Sequence, residues 1–178
     1  MNGKQIKRWL LSWLEQCLLR RAPQADPVSA TVLIWSLLAY VTLDLLQARA
    51  SSDWQTSLGM TALDTLIMVL FSWSVLRLTK KSARYVQTLT ALAGTGAVLG
   101  LVGLPLIQQA ARTHLDEGPG GMLVLGWLML LVWSISVQAH IYRHALSTRY
   151  GVGLLVAGLQ MILVISLLET LFPQVAGS

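Results

Sequence analysis

The chain has 178 residues, 54% of them apolar and 12% charged, with a mean hydropathy of +0.61 and a formal net charge of +5. A soluble domain carries about 25% charged residues, so this composition points to the bilayer and leaves no soluble basic face for nucleic acid. Cys17 is the only cysteine, which excludes an intrachain disulfide and a cysteine-based metal cluster.

Residues 4–21 read as an amphipathic helix. Ile6, Trp9, Leu10, Trp13, Leu14, Cys17 and Leu18 recur at i, i+3, i+4 and i+7, while Lys4, Lys7, Arg8, Glu15 and Gln16 take the other face. Tryptophans opposite lysine and arginine describe a helix lying in the membrane surface; packing on the protein's own cytoplasmic loops is the alternative. Ser12 and Glu15 interrupt the first apolar run and Arg20-Arg21 follow it, a poor match to a secretory signal peptide. Pro23 and Pro27 then break the helix and turn the chain toward the bilayer.

Five apolar stretches follow, near 28–47, 57–78, 85–107, 122–141 and 151–172. Each approaches the 20 residues that a hydrocarbon core of about 30 Å requires. The third holds Gly94, Gly96, Gly100 and Gly103 and no charge. In water such a helix is poor, but in lipid Gly96-x-x-x-Gly100 admits a neighbouring backbone closely, so this span is expected to be the one the others pack around. At about 100° per residue, Gly96, Gly100 and Gly103 share a face and Gly94 points away. The longest link, 108–121, carries Arg112, His114, Asp116 and Glu117. No internal repeat supports an inverted-repeat transporter.

The expected fold is an all-α integral membrane protein: a cytoplasmic amphipathic helix and linker over 1–27, five transmembrane helices over 28–172, and a short outer tail over 173–178. Orientation follows from charge. Lys4, Lys7, Arg8, Arg20, Arg21, Arg77, Lys80, Lys81, Arg84, Arg143 and Arg149 fall on one side, and Arg49 and Arg112 on the other, eleven against two. Basic loops stay inside, so the N-terminus is predicted cytoplasmic and the C-terminus periplasmic, in a bacterial inner membrane.

Two stretches carry a resemblance. The first is Lys81-Ser-Ala-Arg-Tyr-Val-Gln-Thr-Leu-Thr-Ala-Leu, closing with Gly103-Leu-Pro-Leu106; the second runs from Trp127 through Arg143 and Ser147 to Tyr150. Together with an N-terminal segment before five spans, they resemble the Yip1-domain family of membrane proteins, its bacterial members above all. The Asp-Leu-Tyr-Gly-Pro type of motif found in eukaryotic members has no counterpart, so the resemblance implies the fold rather than a trafficking role.

Ionisable groups at membrane depth are functional candidates. Asp64 sits in Thr61-x-x-Asp64-Thr65, about 10 Å from the outer end of its span at the helical rise. Asp44 lies at similar depth on the neighbouring helix, and Glu169 near the outer end of the fifth span. Two carboxylates brought together in low dielectric would form a proton- or cation-binding site able to exchange a proton near neutral pH. The plainer alternative is that each caps a helix, bonds a threonine, or reaches Arg49 or water. His140 and His144, four apart, have ligand spacing but no obvious third ligand, so no metal is predicted. Lys80, Lys81 and Arg84 are candidates for anionic headgroups. Gln138 and Gln160 are read as interhelical hydrogen-bonding groups.

No serine-hydrolase setting, phosphate loop, dinucleotide fingerprint or haem-ligand pair occurs, so neither enzyme chemistry nor a cofactor is expected. The leading expectation is a non-enzymatic membrane scaffold or accessory subunit, partnered by the lipid bilayer and by a second copy or another membrane protein. The alternative is a small oligomeric transporter or ion-conducting protein using the acidic cluster. Replacing Gly100 with leucine is expected to destabilise the fold or its assembly in a detergent melting assay. An unchanged melt would mean that this glycine face meets lipid.

Overall fold

The periodicities resolve into six helices in a computed structural model that describes residues 3–50, 52–112 and 121–173. They are α1 (Gly3–Cys17), α2 (Ala30–Ala48), α3 (Trp54–Leu78), α4 (Tyr85–Arg112), α5 (Gly121–Leu146) and α6 (Tyr150–Leu171), with single 3-10 turns at Pro23–Ala25 and Ser82–Arg84. Helices α2 to α6 are long and apolar enough to cross a membrane, and no strand occurs among the described residues. His114, Asp116 and Glu117 lie outside the described residues.

Helix ends follow their caps. Ser29 accepts from the amide of Val32 and starts α2. Asp53 accepts from the amides of Gln55 and Thr56, so α3 begins three residues before the hydropathy pattern suggests. Hydrogen bonding from Thr56 holds the exposed Asp53 carboxyl below its ordinary value. Pro105 does not end its span: α4 continues past it to Arg112, since one missing amide is tolerable in a long apolar helix. Three turns use a left-handed residue that is not glycine: Leu19 (φ 60°), Lys80 (φ 59°) and Ser147 (φ 48°). In each, the following amide closes on a carbonyl of the helix it leaves: Arg20 on Glu15 at 2.9 Å, Lys81 on Leu76 at 2.7 Å and Thr148 on Arg143 at 2.9 Å.

Helix α4 touches α1, α2, α3 and α5, and it is the most buried of the five long helices. Its glycines explain how. A Cβ on Gly96 would fall 2.7 Å from the Tyr40 ring, and one on Gly100 2.8 Å from Gln47 Nε2, so both glycines face α2. Gly103 turns toward Leu130 of α5, 3.0 Å from its added Cβ. Gln47 also donates to the Gly100 carbonyl at 2.9 Å, a bond across helices at the same close approach. Gly153 of α6 holds a comparable position that periodicity did not single out: its Cβ would lie 2.2 Å from the Ala139 carbonyl oxygen. With Ala157 buried one turn on, it brings α6 against the backbone of α5.

Helix α1 packs on the protein along one edge of its apolar stripe only. Trp9, Ser12, Trp13, Gln16 and Cys17 are buried, while Ile6, Leu10, Leu11, Leu14 and Leu18 are exposed. The apolar stripe is therefore divided, one edge on the protein and the rest outward, and Gln16 belongs to the packed face rather than the polar one. The partner is α4 itself. Gly94 seats the Trp13 ring, 2.3 Å from an added Cβ, and lies nine residues from Tyr85, roughly 13 Å along the helix. Trp133 of α5 donates to the Cys17 carbonyl at 2.8 Å. The chain then doubles back, with the Arg21 carbonyl at 3.2 Å from His140 Nε2.

Buried Asp26 fixes this return. Its carboxylate accepts from Ser12, from Gln16 at 2.8 Å and from Arg21 at 2.9 Å, and its carbonyl accepts from Gln87 of α4 at 2.7 Å. Such a charge is tolerable only because every donor is local and well placed.

Cys17 is 2% exposed, and burial pushes its thiol up to about 12. The thiolate is the reactive form, so the folded protein at pH 8 should resist maleimide that the SDS-unfolded protein takes up fully. Trp13→Ala should lower stability by about 3–5 kcal/mol and open Cys17 to labelling. Full labelling of the unaltered folded protein would show that α1 does not hold this seat.

Candidate acidic site within the helix bundle

Gly96 is where packing becomes chemistry. Because it lacks a side chain, the Tyr40 ring lies against α4 and its hydroxyl reaches across to α3, where it donates to Asp64. Asp44 follows Tyr40 by one turn of α2 and faces both Thr61 and Asp64. Thr61, Asp64 and Thr65 occupy one turn of α3, as their i, i+3 and i+4 spacing requires. The structure thus brings Asp44 and Asp64 together. Neither carboxylate has an ion pair among the described residues.

Depth differs from the sequence reading. Since α3 starts at Trp54, Asp64 lies ten residues in, roughly 15 Å, near the middle of its helix. Tyr40 is near the middle of α2. Solvation at the membrane boundary therefore explains Asp64 poorly. Glu169 is not part of the cluster: it is exposed near the end of α6 and lines neither cavity beside the two aspartates.

Two cavities flank the Tyr40 ring. One, of about 160 Å³, is lined by Asp64, Tyr40, Thr95, Gln138 and Gln160 among others. The second, of about 240 Å³, is lined by Asp44, Tyr40, Gln47, Trp127 and Gln138. Tyr40 and Gln138 border both. On the far side of the first cavity Gln160 accepts from the hydroxyl of Tyr142, whose fully buried ring meets Phe71 edge-on at 6.4 Å. Gln160 thus bonds between helices, while Gln138 faces the cavities.

The remaining sequence candidates go elsewhere. Lys81 donates to the Leu146 carbonyl, and Arg84 to the carbonyls of His144 and Ala145, each at 3.1 Å, and to the Ser147 hydroxyl at 2.6 Å. These two cations close the C-terminus of α5, where the helix dipole favours them; Lys80 is exposed. His140 and His144 stack edge-on at 4.6 Å, with His140 Nε2 at the Arg21 carbonyl and His144 Nε2 accepting from Arg143. No group of three or more His, Cys, Asp or Glu able to hold a metal occurs among the described residues.

Sequence reasoning missed Tyr40 and Gln47. The available signal was their spacing: Tyr40 precedes Asp44 by one turn, and Gln47 follows it by nearly one. Comparison with protein-family models, curated proteins and solved structures returned no match to the chain.

Removing the Tyr40 hydroxyl leaves Asp64 without its donor. Tyr40→Phe should destabilise by about 1–3 kcal/mol, and in a double-mutant cycle with Asp64→Asn the two changes should couple. Strictly additive melting shifts would show that the hydroxyl does not hold the carboxylate.

Proposed function

We propose that this protein is a non-enzymatic multi-pass protein of a bacterial inner membrane that reversibly binds a proton or cation between Asp44 and Asp64. Five membrane-length helices support the setting, and the eleven-to-two distribution of Lys and Arg supports a cytoplasmic N-terminus. The Yip1-domain resemblance belongs to the same reading, as an architecture and not an activity.

The observation that carries the proposal is the Tyr40–Asp64 hydrogen bond at mid-helix, with Asp44 facing the same carboxylate. Two adjacent negative charges at this depth, with no basic partner, are strongly disfavoured. A bound proton or cation relieves that repulsion. The flanking cavities leave space for such a species beside the pair.

A scaffold or accessory subunit, assembled with a second copy or another membrane protein, is the second reading. What favours it is the brevity of the links: Arg49 to Asp53 joins α2 to α3, and Ser147 to Arg149 joins α5 to α6. They leave little extramembrane surface for any chemistry outside the bundle.

Infrared titration of the purified full chain in nanodiscs separates the two. A protonated-carboxyl band should appear and disappear between about pH 5 and 9, or respond to added sodium or potassium, and it should be lost in both Asp44→Asn and Asp64→Asn. A spectrum indifferent to pH and salt, and unchanged in both variants, would leave only the scaffold reading.

A further inference from the structure

We infer that the larger cavity takes a lipophilic organic ammonium ion, with Asp44 as its counter-charge and Trp127 and Tyr40 as aromatic walls. This deepens the cation-binding reading and rests on it.

The architecture makes the space. Helix α2 packs on α3 and α4, and α5 on α4 and α6, so α4 forms the floor between α2 and α5. That floor is low because Gly96 and Gly100 carry no side chains. The walls are mainly apolar, with Leu43, Leu99, Leu130 and Leu131 facing the space. Polar and aromatic side chains interrupt them, with Tyr40, Gln47 and Ser134 beside the three that matter most. Asp44 supplies one negative charge. Trp127, partly exposed, presents an indole on the opposite wall. Gln138 borders the space with an amide that makes no hydrogen bond among the described residues.

Asp44 is also held from the side of α3. The Thr61 hydroxyl, in a residue 3% exposed, faces the Asp44 carboxylate as a donor from α3. A donor at this position can hold the carboxylate while its other oxygen engages a cation.

The walls decide the chemical class. An anion would meet Asp44 unfavourably. A small hard cation wants a shell of oxygen ligands, whereas most of this lining is leucine and aromatic carbon. A carboxylate, aromatic faces and aliphatic walls together are the surroundings that an alkylammonium prefers: charge paired at one end, apolar tail desolvated at the other. The same chemistry can arrive from water as a short amine or from the bilayer as a cationic amphiphile.

The test uses the full chain in nanodiscs of zwitterionic lipid and follows thermal unfolding with added hexylammonium, or with dodecylammonium doped into the lipid. A ligand that binds only the folded state raises the melting temperature saturably. Hexylammonium, dodecylammonium or both should do so, while hexanol, the neutral counterpart, should not. Response to hexylammonium places the source in solution; response to dodecylammonium alone places it in the membrane. Asp44→Asn should weaken the apparent affinity by about tenfold or more, and Trp127→Leu by roughly two- to fivefold. If Asp44→Asn does not fold, Trp127→Leu and Gln138→Leu carry the comparison. An equal response to hexanol, or unweakened binding in these variants, overturns the inference. Sodium acting as well as the amine overturns the organic ligand and keeps the cation site; loss of the infrared titration as well overturns both.

Discussion

The fold depends on side chains that α4 does not have. In lipid no hydrophobic drive separates helix from solvent, so association rests on close packing and on hydrogen bonds between helices. Gly94, Gly96, Gly100 and Gly103 leave room on different sides of one helix, and a different neighbour uses each direction: Trp13 of α1, Tyr40 and Gln47 of α2, Leu130 of α5. The intrinsic helical penalty of glycine, about 0.5–1 kcal/mol per residue, is offset by these contacts. Gly153 repeats the device for α6.

Polar groups follow the same geometry. Gln47 bonds the Gly100 carbonyl and Tyr40 reaches Asp64 past Gly96, so both hydrogen bonds pass over a glycine. The buried acid at the N-terminal segment is handled oppositely. Asp26 is satisfied by Ser12, Gln16 and Arg21 and serves as a fixed joint. Asp64 has Tyr40, while Asp44 faces Asp64 rather than a cation. The difference is that Asp26 has a basic partner, Arg21, whereas among the described residues neither Asp44 nor Asp64 has one.

Much of the architecture was legible in the residues because hydropathy and length constrain a membrane helix so tightly. The shared direction of Gly96 and Gly100, and the opposite one of Gly94, agree with 100° per residue, whereas Gly103 meets Leu130 of α5 first. The ends were harder: hydropathy places the third span at 85–107, and α4 runs five residues further, to Arg112. The face of α1 was not legible, because leucine suits lipid and protein alike and periodicity cannot tell which edge of a broad apolar stripe is packed. Gln16 shows the consequence, since its burial depends on Asp26 ten residues later. The pairing of Tyr40 with Asp64 spans 24 positions and has no local signature. Only the juxtaposition of α2 and α3 over α4 reveals it.

Gly94, Thr95 and Gly96 connect the N-terminal helix to the acidic pair in a single turn. Gly94 receives Trp13, the carbonyl of Thr95 meets the Cys17 thiol at 3.9 Å, and Gly96 receives Tyr40. Thr95 also lines the cavity that holds Asp64, and its hydroxyl is turned back on Ala91 at 2.7 Å. The seat of α1 and the seat of Tyr40 therefore lie two positions apart on one helix, about 200° around its axis at 100° per residue. Interiors packed this tightly shift as units rather than deform continuously. The helix at the start of the chain is thus seated on the same turn of α4 as Tyr40, although none of its side chains reaches either carboxylate.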